Sequence, residues 1–158
     1  MNVLVAYYSR TGQNEKLAIE LQTKLGCDLE AIVDTSDRKG VLGWIKSARQ
    51  AHGKQMSKIE PTKKDPGNYD LVIICYPLWW GLMPPPMRTY LSDNKGKFNK
   101  VTLMSVSGRG KSNSRAIPDF EEAVGKKSSA TLILSRLETG RSRYKEKLQE
   151  FANSISKL

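Results

Sequence analysis

Two hydroxyl-bearing residues and a glycine, Ser9, Thr11 and Gly12, lie between a short apolar run and a stretch of helical periodicity. The apolar run predicts a strand, and the leucines on one face of the following stretch predict a helix. Hydroxyls and free backbone N–H groups at a helix N-terminus attract an anion, most naturally a phosphate. Gly12 allows the backbone to bend sharply and to approach a ligand closely.

This first loop lacks the signatures of the common nucleotide-binding loops. No lysine follows Gly12, and neither G-x-x-x-x-G-K-S/T nor G-x-G-x-x-G is present. Taken alone, the loop is equally consistent with an ordinary strand-to-helix turn that carries capping residues. A second stretch favours the ligand-binding interpretation.

That second stretch follows residues 69–76, which are apolar on both faces and therefore predict a central strand. Pro77 is expected to end the strand. The second loop then contains Pro77, Leu78, Trp79, Trp80 and Gly81. An exposed pair of tryptophans is costly unless a flat partner covers it, although both indoles could instead pack inward. A third loop follows the predicted strand 101–106 and contains Ser107, Gly108, Arg109 and Gly110.

Strands and helices alternate along the whole chain. Strands are predicted at 2–8, 28–33, 69–76, 101–106 and 130–134. Helices are predicted at 12–25, 41–52, 87–91, 118–124 and 144–158, and 53–68 reads as a polar loop. This alternation predicts a parallel sheet with helices on both faces and a ligand at the carboxyl ends of the strands. Because all three loops follow strands, they share that edge, and a phosphate cradle, a flat indole and backbone donors together describe a flavin mononucleotide (FMN) site.

The chain resembles a known family at these loops. Residues 8–14, Tyr-Ser-Arg-Thr-Gly-Gln-Asn, are similar to the phosphate-binding signature of the flavodoxin family. Residues 69–74 followed by Pro-Leu-Trp-Trp-Gly resemble the flavin loop of its Trp-Trp-Gly branch. The resemblance covers essentially the whole chain and implies one short-chain, flavodoxin-like FMN-binding domain over residues 1–158. The implied fold is a doubly wound, three-layer α/β sandwich with a five-stranded parallel sheet in the order 2-1-3-4-5.

The resemblance implies noncovalent FMN and low-potential electron transfer. The residues that we expect to bind FMN are Ser9, Arg10, Thr11, Gly12, Gln13, Asn14, Pro77, Leu78, Trp79, Trp80, Gly81, Ser107, Gly108, Arg109 and Gly110. Asn14 replaces the usual family residue and can still cap the helix and donate to phosphate. We expect no catalytic side chain and no metal site, because Cys27 and Cys75 form no motif and His52 is the single histidine.

Composition and charge leave three functional classes open. An electron carrier is favoured over an NAD(P)H-dependent flavin or quinone reductase, because no dinucleotide fingerprint is present. The formal net charge of +10 is the only support for nucleic-acid binding. The three loops carry Arg10 and Arg109 but no acid, and Arg88 follows closely, so a redox partner protein with an acidic face is expected. No signal peptide or membrane span is apparent, and a cytoplasmic location with reduced, buried cysteines is expected.

Overall fold

A computed structural model describes residues 1–35, 54–108, 115–140 and 143–158. Its parallel strands are β1 (Val3–Tyr7), β2 (Asp28–Ala31), β3 (Leu71–Leu78), β4 (Lys100–Ser107) and β5 (Thr131–Ser135). Its helices are α1 (Gln13–Leu25), α2 (Pro85–Asp93), α3 (Ala116–Val124), α4 (Arg136–Thr139) and α5 (Arg143–Ile155), with a 3-10 helix at Pro66–Asn68. The sheet order β2-β1-β3-β4-β5 confirms the predicted topology. The predicted helix at 41–52 lies outside the described residues.

The core occupies both faces of the sheet, as the alternation of side chains along a strand requires. On one face, Leu4 and Ile74 belong to a cluster with aromatic and aliphatic residues of α2 and α3. On the other face, Val5 and Ile73 belong to a cluster with residues of α1 and α5. The described chain therefore forms three layers. No helix within the described ranges is long and apolar enough to cross a membrane.

The edge strand β2 is joined by the polar loop that precedes the 3-10 helix. The buried carboxylate of Glu30 accepts hydrogen bonds from the backbone N–H groups of Lys63, at 3.0 Å, and Lys64, at 2.9 Å. Farther along, Glu60 N–H donates to the carbonyl of Val33 at 2.9 Å. The loop therefore runs antiparallel beside the end of the predicted edge strand and supplies Val33 with a backbone partner.

The prediction that Pro77 ends the central strand is wrong, because β3 continues to Leu78. The carbonyl of Cys75 accepts from Tyr8 N–H at 2.8 Å, which shows that odd-numbered residues of β3 direct their backbone groups towards β1. Tyr7 is the last residue of β1 in register, opposite Cys75. The missing N–H of Pro77 thus faces a position where β1 has already left the sheet, and no ladder bond is lost.

A short helix that the sequence patterns did not predict, α4, begins directly after β5. Ser135 caps it by accepting from Glu138 N–H at 3.1 Å, and Glu138 in turn accepts from Ser135 N–H at 2.7 Å. This reciprocal arrangement is a capping box. The side chain of Lys147 in α5 also donates to Glu138, so one carboxylate joins β5, α4 and α5.

The capping carboxylate gives a pH-dependent prediction. Hydrogen bonds from Lys147 and then from Ser135 lower the pKa of Glu138 from 4.5 to about 2. A lowered folded-state pKa adds stability that is complete above pH 4.5 and disappears as the pH falls towards 2. Glutamine at position 138 keeps the capping geometry but loses the charge that Lys147 contacts, so this replacement should reduce the free energy of unfolding by up to about 1 kcal/mol at pH 7. Urea titrations of both proteins between pH 7 and pH 2 should show the two curves converging; a difference that is independent of pH would contradict this assignment.

Candidate functional site

The first loop turns directly from β1 into the N-terminus of α1. Gly12 occupies the N-cap position with φ 81°, a left-handed conformation that favours glycine, and it has no side-chain capping bond. Lys16 N–H makes the first intrahelical bond, to the carbonyl of Gly12 at 2.9 Å. The N–H groups before Lys16 in this first turn have no intrahelical acceptor, so the positive end of α1 faces the loop.

Two polar side chains of this loop have buried polar atoms, and they differ in whether those atoms have a hydrogen-bond partner. The hydroxyl of Ser9 is inaccessible and has no hydrogen-bond partner among the described residues. Asn14 is buried in the first turn of α1, and its side-chain oxygen lies 3.6 Å from the sulfur of Cys75. Asn14 therefore packs onto β3, and Gly12 rather than Asn14 takes the cap position, contrary to the predicted capping role. Burial raises the pKa of the Cys75 thiol, so it stays protonated and can donate to Asn14.

The second loop is a tight hairpin. Trp79 and Leu82 exchange backbone hydrogen bonds of 3.0 Å in both directions, which leaves Trp80 and Gly81 as the two turn residues. Their φ values, 56° and 82°, match a type I′ turn, in which both central residues have positive φ. A tryptophan in the left-handed region is strained, and Trp80 is 53% exposed at the tip of the hairpin.

One aromatic contact joins the two loops. The rings of Tyr8 and Trp79 meet edge-to-face with centroids 5.9 Å apart. Tyr8 is buried and Trp79 is packed against the core, so Trp79 is the indole that points inward and Trp80 the one that points outward. The predicted proximity of the first two loops at one edge of the sheet is confirmed by this contact.

The third loop begins at the same edge, because Ser107 lies in register with Leu78 of β3 and with Ser135 of β5. Ser107 is buried and Gly108 is exposed. Arg109 and Gly110 lie outside the described residues. In the first loop, Thr11 is exposed and Arg10 is half-buried.

A buried ion pair beneath the hairpin was not predicted. Arg88 of α2 donates to both carboxylate oxygens of Asp119 of α3, at 2.8 and 2.9 Å. Asp119 also accepts from the backbone N–H of Met83 at 2.8 Å. Arg88 therefore adds no uncompensated positive charge to the site, contrary to the expectation that it strengthens a positive surround. No local sequence pattern joins these two residues, and the prolines after Met83 indicate only a segment that is poor in backbone donors.

The described residues suit an anion beside a flat ring. An inaccessible hydroxyl without a partner and an uncapped helix N-terminus would both gain hydrogen bonds from a phosphate. The exposed face of Trp80 offers a stacking surface a short distance along the same edge. No cluster of three or more potential metal ligands exists in the described part of the chain, and the two cysteines are buried and unpaired.

A five-stranded parallel sheet in this order, with three loops at its carboxyl edge, defines the flavodoxin-like class of α/β folds. Residues 2–153 match the sequence model of the flavodoxin family. The chain therefore belongs to the flavodoxin family. No curated protein matches it in sequence.

Solved structures extend this likeness. A crystal structure from Bacteroides eggerthii DSM 20697 is 25% identical over 98% of both chains, with a TM-score of 0.80. A flavoprotein from Lactobacillus acidophilus NCFM, crystallised in complex with FMN, is 22% identical over 84% of this chain and 92% of that chain, with a TM-score of 0.73. Oxidised flavodoxin 2 from Bacillus cereus is 16% identical over 99% of both chains, with a TM-score of 0.63.

Proposed function

We propose that this chain binds FMN noncovalently at the carboxyl edge of its sheet and carries electrons between partner proteins. The observation that carries the proposal is the contact between Tyr8 and Trp79, because it brings an anion-binding loop and an aromatic hairpin together. The FMN complex of the Lactobacillus relative supports the choice of ligand. Bound FMN would supply reversible electron transfer, and the protein residues would hold and orient it.

Each of the three loops would contact a different part of FMN. Ser9, Thr11 and the backbone N–H groups that follow Gly12 would hold the phosphate. Trp80 would stack on the flavin ring, while Trp79 would anchor the hairpin. Gly81 and Gly108 would present peptide groups to the ring edge. The remaining expected contacts are those of Arg10, Gln13, Asn14, Pro77, Leu78, Ser107, Arg109 and Gly110.

The cofactor proposal is tested by titrating apoprotein with FMN. We expect stoichiometric binding with quenching of tryptophan fluorescence, and a yellow protein that releases FMN on denaturation. Riboflavin, which lacks the phosphate, is the matched control ligand and should bind much more weakly. Equal affinities for FMN and riboflavin would contradict the assignment of the first loop to phosphate.

The carrier and reductase classes are separated by a stopped-flow experiment. The FMN-loaded protein is mixed anaerobically with NADPH or NADH, and flavin absorbance is followed. We expect no rapid bleaching of the flavin by either nicotinamide. Fast bleaching by one nicotinamide would move the protein to the reductase class.

The partner would present an acidic face, because the chain has a formal net charge of +10. Charge attraction of this kind accelerates encounter and is screened by salt. The rate of electron exchange with an acidic partner should therefore fall as ionic strength rises. Binding to a generic DNA duplex at physiological salt is the competing outcome, and it would favour a nucleic-acid role.

A further inference from the structure

The structure assigns a positioning role to Asp119, which holds the base of the Trp79–Leu82 hairpin through the backbone of Met83. The inference rests on the proposed function, because the hairpin is the stacking element of the FMN site. Asp119 lies on α3, outside the three loops, so it would act on the flavin only through the hairpin.

The first step of the argument is the scarcity of backbone donors. Residues 84–86 are all proline, and proline has no N–H group. Between Leu82, whose N–H closes the hairpin, and Met87, whose N–H bonds to Pro84 at 3.1 Å, only Met83 can donate. Asp119 accepts that one donor at 2.8 Å. The segment that leaves the hairpin therefore has a single backbone donor with which it can be tied to the core.

The second step concerns burial and charge. Met83 is fully buried, and Asp119 and Arg88 are only 5% and 8% exposed. A buried carboxylate is costly unless it is paired, and Arg88 provides the pairing from the first turns of α2. Arg88 itself follows the prolines, so both ends of the 83–88 segment converge on the same carboxylate.

The third step concerns the strained backbone of the hairpin, which the bond between Met83 N–H and Asp119 would help to keep in place. Trp80 has a φ of 56°, a conformation that tryptophan keeps only where the surrounding structure imposes it. The hairpin has one pair of backbone bonds, between Trp79 and Leu82. An isolated two-residue hairpin is marginal, so the next residue in the chain, Met83, is where an anchor is most effective.

Single substitutions of Asp119 leave Arg88 charged and buried without a partner, and such variants can fail to fold. The test therefore compares two double variants, Asp119→Asn with Arg88→Met and Asp119→Leu with Arg88→Met. Both lack the charges, but only asparagine keeps an oxygen that accepts from Met83 N–H. Glu122→Gln on the exposed face of α3 is the control for general effects on the helix.

Amide hydrogen exchange of the apoproteins is the first measurement. We expect the Met83 and Leu82 amides to exchange about tenfold or more faster in the leucine variant than in the asparagine variant, while core amides of β3 are unchanged. FMN titration is the second measurement, and the leucine variant should bind about tenfold more weakly than the asparagine variant.

Equal local exchange and equal FMN affinity in the two double variants would overturn the positioning role. Acceleration of all amides in parallel with a lower urea midpoint would also overturn it, because that is the signature of global destabilisation. Failure of the unmodified protein to bind FMN would instead overturn the proposed function, since the exchange measurement needs no cofactor.

Discussion

Replacing Trp80 with asparagine should weaken FMN binding by roughly 5- to 150-fold and should stabilise the apoprotein. Loss of a stacked ring costs about 1–3 kcal/mol. Asparagine tolerates the left-handed conformation and is favoured with glycine in type I′ turns, so the strain at φ 56° is relieved by about 1 kcal/mol. FMN titration and urea unfolding of the apoprotein measure the two effects separately.

Two further variants make this result specific to Trp80. Trp80→Phe keeps an aromatic face together with the strained turn, so most of the affinity should remain. Trp79→Phe removes the inward indole but preserves an aromatic contact with Tyr8. If Trp80→Asn bound FMN as tightly as the unmodified protein and Trp79→Phe lost affinity, the two indoles would have to exchange roles.

Ser9→Ala, in the first loop, is also expected to weaken FMN binding and to stabilise the apoprotein. The inaccessible hydroxyl has no partner among the described residues, and an unmet buried hydroxyl costs about 1–3 kcal/mol. Its removal should stabilise the apoprotein by about 1 kcal/mol. It should also weaken FMN, because a hydrogen bond to a charged phosphate contributes about 1.5–3 kcal/mol.

Ser57 provides a matched control within the same chain. Its hydroxyl is also inaccessible and has no partner within the described ranges of the chain, but its backbone lies against Thr89 on α2, outside the three loops. Ser57→Ala should therefore stabilise the apoprotein to a similar degree while the FMN affinity stays constant. A Ser9→Ala protein that binds FMN normally would remove Ser9 from the proposed phosphate site.

The strands and their parallel arrangement could be predicted from local apolar runs that alternate with helices, whereas the sheet order was an expectation from the resemblance to the flavodoxin family. The boundaries of α1 were also predictable, since Gly26 ends it with φ 63° as a left-handed C-cap. The prediction for Pro77 was wrong because the cost of its missing N–H group depends on whether a strand lies opposite it. The sheet register decides this, and β1 ends opposite Cys75. The sequence also did not determine which indole points outward, because this depends on the hairpin that the backbone bonds between Trp79 and Leu82 close.

Long-range polar pairs were the other limit of sequence reasoning. Asp119 and Arg88 are 31 residues apart and lie on different helices, so no local pattern joins them. The three prolines indicate that the segment after the hairpin is poor in backbone donors, but they do not indicate which acceptor the Met83 N–H group meets. The capping box of α4 was recognisable in principle from Ser135 and Glu138 at three-residue spacing.

The hydrogen bonds from the backbone N–H groups of Lys63 and Lys64 to the Glu30 carboxylate also affect self-association. An edge strand with unpaired backbone groups is a template on which another chain can extend the sheet. Here the loop is hydrogen-bonded to the side chain of Glu30 and to the carbonyl of Val33, so an approaching strand would have to displace it. A concentrated solution of this protein should thus resist growth of intermolecular β-structure from the β2 side, even when no cofactor is bound.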